Sequence, residues 1–182
     1  ARENGYVATF MPKVFAEWVG CSLHLHVSLW DTAGENDLTP NPGDEQSLSD
    51  AGRWFMGGLL KHVAALTALG SPTVNSYKRL LPGSWAPANT YWGYGNRSGI
   101  VRIPGPGGRR HLEFRSGDNT CQPALFLTGV LAAGATVNVT AGFEVPATMA
   151  GPKLELDFTV DHANAFVARV SIPYRAVVIV PS

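Results

Sequence analysis

The chain has 182 residues and a mass of 19.4 kDa, enough for one domain with a real core, because a folded chain of this size buries about two thirds of its extended surface. Its 14 basic and 14 acidic side chains cancel, which gives no reason to expect a general nucleic-acid or membrane-surface binder, and no apolar run is long enough to cross a bilayer. Cys21 and Cys121 set no disulfide framework and lack CxxC spacing, so two reduced thiols in a cytoplasmic protein are expected.

The segment from Tyr6 to Val19 is mixed and aromatic, without clean periodicity. A strand is expected from Ser22 to Trp30, where Leu23, Leu25, Val27 and Leu29 form one apolar face and Ser22, His24, His26 and Ser28 project from the other. Gly34, Pro40, Pro42 and Gly43 mark residues 31–47 as a polar loop. A helix should follow from Ser49, as cap, to Leu69, with Trp54, Phe55, Leu59, Leu60, Val63 and Leu66 on its apolar face. Gly70 in the left-handed region and Pro72 should end it, and the Gly57-Gly58 pair offers close packing at some cost in helicity.

Residues 81–90 read as an ordered loop around Pro82, Gly83 and Pro87. Strands are expected at Gly99 to Ile103 and Arg110 to Arg115, with Leu112 and Phe114 on one face of the second and His111, Glu113 and Arg115 on the other. A helix from Pro123 to Ala133 should stop at Gly134. Beyond residue 136 the pattern turns strand-like, with Leu154, Leu156, Phe158 and Val160 alternating with polar residues, then apolar runs near Phe166 to Ile172 and Ala176 to Val180.

Two polar rows emerge. His24 and His26 on one strand are either satisfied polar histidines or nitrogen ligands, and Glu113 adds an oxygen donor, so His24 with Glu113 would make part of a divalent-metal site. Arg97, Arg102, Arg109, Arg110 and Arg115 crowd one segment against a single acid, forming either a solvated face or an anion-binding wall. Arg79, Arg97, Arg102 and Arg115 are the candidates for holding carboxylate or phosphoryl oxygens, whereas Arg109 and Arg110, beside a Gly-rich turn, are expected to be solvent-exposed.

The ordered stretches LHLHVSLWD, FMGGLLKHVAALTAL, SPTVNSYKRLLPGSWAPANTYWGYGNRSGIVRIPG and RRHLEFRSGDNT resemble the catalytic domain of the glutamine synthetase superfamily, closest in character to its gamma-glutamyl-amine ligase relatives. The resemblance covers roughly residues 10–135. It implies an α+β fold with a curved, mainly antiparallel sheet packed with helices and a partial catalytic domain over 1–135; the strand-like tail over 136–182, expected to continue the same domain, does not resemble the helical C-terminal part of the family. It implies His24 and Glu113 as ligands of Mg2+ or Mn2+, and His26 and Ser28 along the ATP subsite. Arg79 would hold the glutamate carboxylate. Arg97 and Arg102 would face the phosphate and acyl-phosphate oxygens, and Arg115 the acid substrate or the phosphoryl group.

The implied activity is ATP-dependent ligation of glutamate to ammonia or a primary amine through a gamma-glutamyl phosphate, in a ring-like homo-oligomer. Three departures from the family pattern bear on it. Val19-Gly20-Cys21-Ser22-Leu23 replaces the Asn-preceded Gly-Ser-Gly stretch of ammonia-using members. Trp85 stands where those members carry an ammonium-binding glutamate; its indole would pack against an alkyl or aryl amine, or against a neighbouring loop. Acidic ligands and a small β-domain that the family supplies upstream are not among these residues, so the isolated chain is expected to be inactive. Ordinary glutamine synthesis from ammonia and a non-catalytic structural or regulatory relative are the competing expectations.

Overall fold

The computed structural model describes residues 1–105, 110–135, 153–160, 166–173 and 177–179. In chain order the elements are β1 (Val7–Thr9), β2 (Leu25–Trp30), β3 (Pro40–Asn41), β4 (Asp44–Leu48), α1 (Asp50–Lys61), α2 (Val63–Gly70), α3 (Val74–Tyr77), β5 (Asn89–Tyr94), β6 (Gly99–Ile103), β7 (Leu112–Phe114), α4 (Pro123–Ala135), β8 (Lys153–Val160), β9 (Phe166–Pro173) and β10 (Val177–Ile179). Six strands form the main sheet in the order β5-β6-β7-β2-β9-β8, with small two-stranded sheets β1-β10 and β3-β4 beside it. In the main sheet β5 and β6 run parallel, and the other four pairings are antiparallel.

The α+β class and the mixed, mainly antiparallel sheet agree with the sequence. The curvature does not: none of the described sheets is closed or strongly curled. The strands that lead to the β5 edge are short, β7 having three residues and β6 five, and twist accumulates only over length and strand number. The strand-like stretches after residue 136 form β8, β9 and β10; β9 lies directly against β2 and with β8 extends the main sheet, whereas β10 pairs with β1.

Strict alternation builds the core. Leu23, Leu25, Val27 and Leu29 are buried beside Val101, Ile103, Leu112 and Phe114, and Phe55, Leu59, Phe126, Val130 and Leu131 close over them from α1 and α4. Ser49 caps α1 by accepting from Gly52 N at 3.0 Å. The long helix expected from 49 to 69 is two helices, α1 and α2, meeting at His62. Trp54 is exposed, because the buried stripe runs through Gly52, Phe55, Met56 and Leu59 and position 54 falls outside it.

The glycines act mainly by close approach. Gly70 is not among the left-handed glycines; a Cβ there would stand 2.5 Å from the Phe126 ring. Gly134 does not stop α4, which runs on to Ala135, and a Cβ on it would strike Phe55. The 31–47 loop contains the β3-β4 hairpin, while α3 and β5 fill segments that carry no clear periodic signal.

Gly57 and Gly58 provide a matched test of this packing. A Cβ at Gly58 would collide with the Ala133 carbonyl, whereas one at Gly57 meets nothing within 4 Å. Gly58→Ala should therefore destabilise by about 1–3 kcal/mol despite its better helix propensity, and Gly57→Ala should stabilise by up to about 1 kcal/mol. Urea midpoints of the two variants should move in opposite directions.

Candidate active site

The strand pairing assembles the polar rows. His26 on β2 lies opposite Glu113 on β7, and Arg102 on β6 lies opposite Glu113 from the other side. Because Leu25, Val27, Leu112 and Phe114 fill the core face, His24, His26, Glu113 and Arg102 share the other one.

Glu113 is the hub of this face. It is 3% exposed. Arg115 Nη1 donates to its Oε1 at 2.6 Å, Arg102 Nη1 to its Oε2 at 2.7 Å, and His24 Nδ1 lies 2.9 Å from Oε1. Burial works against the carboxylate, but the His24 hydrogen bond, the Arg115 charge and the Arg102 hydrogen bond hold its pKa well below the usual range. Burial lowers the His24 pKa and keeps the ring neutral. A neutral ring that donates from Nδ1 leaves Nε2 as its only acceptor.

An open cleft of roughly 750 Å3 lies over this face. It is lined by His24, His26, Arg79, Trp85, Arg97, Arg102, Glu113 and Arg115, so eight of the nine residues singled out from the sequence are brought together. Ser28 is not. It lies farther along β2, where its Oγ accepts from Trp30 Nε1 at 2.9 Å. Arg79 is buried, and its Nη2 donates to the carbonyls of Ser116 at 2.7 Å and Gly117 at 3.0 Å; burial, partly offset by Asp118, pushes its pKa down to about 10. Trp85 is 71% exposed, with the Arg97 guanidinium 5.9 Å from its ring centre and its carbonyl accepting from Arg115 Nη2 at 2.9 Å.

Two placements differ from expectation. Arg110 is buried rather than solvated: it donates to the Pro104 carbonyl, reaches Gln46 Oε1 at 2.5 Å and stands 5.6 Å from the centre of the Tyr94 ring. A buried guanidinium needs such acceptors, and the turn supplies them. Arg109 lies outside the described residues. His26 is also paired, Nδ1 to His111 Nε2 at 2.8 Å. The sequence carries a signal for that pair, since His111 sits two residues before Glu113, and Glu113 lies opposite His26.

The donor set suits a divalent cation in kind, since His24 and Glu113 offer an imidazole nitrogen and a carboxylate oxygen side by side. It is partial in number. Among the described residues no group of three or more His, Cys, Asp or Glu side chains is arranged to hold a metal. The cationic side is better furnished, with Arg79, Arg97, Arg102 and Arg115 lining the cleft, and among the described residues Nε of Arg79, Arg102 and Arg115 are buried donors without a hydrogen-bond partner. Buried donors left over in this way carry a cost. Both cysteines are buried and no disulfide joins them, and burial together with Asp118 pushes the Cys121 thiol up to about 12, which makes it inert.

His26 makes the site sensitive to acid. Burial lowers its pKa from 6.5 to about 4, so the unfolded chain binds more protons than the folded one between those values. Stability present above pH 6.5 should fall as the pH drops towards 4, by at most about 3 kcal/mol. His26→Gln should flatten that part of the profile, as measured by chemical denaturation at steps from pH 7.5 to 4.

Residues 1–163 match the family described as glutamine synthetase, catalytic domain. The glutamine synthetase of Thermococcus kodakarensis is 47% identical over 135 residues, which is 74% of this chain and 29% of that protein. Type-1 glutamine synthetase 1 of Dictyostelium discoideum is 44% identical over 139 residues, 74% of this chain and 28% of that protein. A solved structure, apo GmaS without ligand, superposes with a TM-score of 0.63 at 42% identity, covering 75% of this chain and 30% of that one. The chain thus spans less than a third of the length of the curated relatives it matches. With the match running through the whole cleft-bearing region, the chain belongs to the glutamine synthetase catalytic-domain family.

Proposed function

We propose that the cleft is part of the active site of an ATP-dependent ligase that joins glutamate to a primary amine. The observation that carries this reading is the convergence of four arginines, Arg79, Arg97, Arg102 and Arg115, on one cleft over the His24–Glu113 pair. In the first step a side-chain carboxylate oxygen of glutamate attacks the γ-phosphorus of ATP, the bond to ADP breaks and a gamma-glutamyl phosphate forms. In the second an amine nitrogen attacks the acyl carbon, inorganic phosphate leaves with the bonding pair, and the nitrogen loses a proton.

In this reading Arg79 holds the glutamate carboxylate, and Arg115 touches the acid or the phosphoryl group. Arg97 and Arg102 face the phosphate oxygens, where fixed donor forks stabilise charge that grows in the transition state. His26 and, beyond the cleft on β2, Ser28 lie along the nucleotide subsite. His24 and Glu113 would hold the divalent ion, Mg2+ or Mn2+, which when bound compensates phosphate charge. Residues 1–135 form a partial catalytic domain that 136–182 continue, and the whole protein works as a ring-like homo-oligomer in the cytoplasm.

The acceptor is read from Trp85. An indole cannot take a proton from ammonium, and its exposed face suits an alkyl or aryl arm. Ordinary glutamine synthesis from ammonia is the second reading, favoured by the names of the curated relatives. Glutamate-dependent phosphate release by the full-length protein, with ammonium and with a series of primary amines, separates the two. An amine should be preferred; preference for ammonium overturns the acceptor assignment, and no glutamate-dependent release with any acceptor overturns the ligase.

Two substitutions sharpen the test. Glu113→Gln removes the charge that Arg102 and Arg115 surround, so turnover should fall at least about tenfold, or about 1.4 kcal/mol of barrier, with a weaker response in a magnesium titration. The same change should lower stability by about 3 kcal/mol, because it leaves buried guanidinium groups uncompensated. Trp85→Glu should raise the kcat/KM for ammonium relative to the best amine by about tenfold, on the scale of one favourable charge contact.

A further inference from the structure

The segment from Pro12 to Cys21, aperiodic in sequence, is a closed and firmly tethered loop. Cys21 N donates to the Pro12 carbonyl at 2.9 Å. Lys13 N donates to Asn75 Oδ1 at 2.8 Å and Asn75 Nδ2 to the Lys13 carbonyl at 2.9 Å, a reciprocal pair that fixes the loop to α3. The Lys13 ammonium caps the Trp18 carbonyl, and the Phe15 and Trp18 rings lie 5.1 Å apart. At Gly20 the loop passes so near Arg79 that a Cβ would stand 3.0 Å from its side chain.

This ordered loop leaves apolar surface uncovered. Trp18 is 62% and Val19 71% exposed, and both line the same cleft as Trp85. Large apolar side chains held on a rigid support at a cleft mouth mark a place where a ligand's apolar part is received.

The charges decide which ligand. Lys13, Arg79, Arg97, Arg102 and Arg115 are the cationic lining groups, against the carboxylates of Glu17 and Glu113. Glu113 is already held by Arg102, Arg115 and His24. Glu17 is exposed and has no ion-pair or hydrogen-bond partner among the described residues. A protonated amine entering this cleft therefore meets one carboxylate free to receive it, next to the exposed tryptophan.

We propose that the Pro12–Cys21 loop is the acceptor wall of the cleft, with Glu17 receiving the ammonium group of a primary amine and Trp18, Val19 and Trp85 taking its apolar arm. The proposal rests on the ligase reading and narrows its acceptor to amines carrying an aryl or branched alkyl group. Bare ammonium gains nothing from Trp18 or Val19.

The test is equilibrium binding to the full-length protein, by calorimetry, of phenethylamine, of its uncharged analogue 2-phenylethanol, and of ammonium. Glu17→Gln should weaken phenethylamine about tenfold, the scale of one charged hydrogen bond, and leave 2-phenylethanol within about twofold. Trp18→Ala should weaken both organic ligands, and Trp18→Phe should restore most of the loss; melting curves check that each variant folds. Unchanged phenethylamine affinity in Glu17→Gln, or in Trp18→Ala, overturns the proposal, as does equal or tighter binding of ammonium. Intact glutamate-dependent phosphate release without phenethylamine binding rejects this subsite alone, whereas phenethylamine binding that responds to Glu17 and Trp18 without phosphate release rejects the ligase and leaves the amine site standing.

Discussion

The burial of Glu113 between Arg102, Arg115 and His24 organises the polar face of the sheet. A carboxylate removed from water in a sheet is tolerable only if its lone pairs are met by strong donors. Here the donors come from β6, from the residue just past β7 and from the residue just before β2, so satisfying one charge fixes three strands in register. The apolar alternation on the other face specifies the same register. A slip of one residue would turn Glu113 towards the core, among Leu25, Val27, Val101 and Phe114.

Much of this is legible from spacing alone. Alternation in Leu23 to Leu29 and in Leu112 to Phe114 marks both strands, their buried faces and the shared polar face, because period-two patterning is a direct imprint of a half-buried strand. The separation of α1 from α2 is not legible, since apolar residues continue through Val63 and Leu66 and the break at His62 has no Gly or Pro beside it. Trp54 is deceptive because its large aromatic ring suggests burial, whereas its place on the helix puts it outside the stripe. Gly70 and Gly134 are deceptive for a different reason: glycine serves both as a helix stop and as a point of close approach, and only the positions of Phe126 and Phe55 distinguish the two.

The site divides in the same way. Residues in the strands or in the conspicuous arginine run can be selected without the fold. Glu17 and Trp18, which line the same cleft, carry no periodic signal because their loop is shaped by hydrogen bonds to Asn75 and Pro12 rather than by repeating geometry. Arg110 shows the limit of composition: a glycine-rich neighbourhood suggests solvent, yet the carbonyl of Pro104 and the amide of Gln46 give its guanidinium a buried seat.

Arg115 grips position 85 by the main chain, not by the side chain: Nη2 bonds to the carbonyl oxygen while the indole is left exposed. A carbonyl is the same in every residue, so the arginine's hold is blind to what the side chain is. Position 85 can therefore exchange one side chain for another over evolutionary time without disturbing the charged framework beneath it. The fold thus carries a modular socket, in which the side chain at the cleft mouth can be varied by point substitution while the Arg115–Glu113 framework is inherited unchanged.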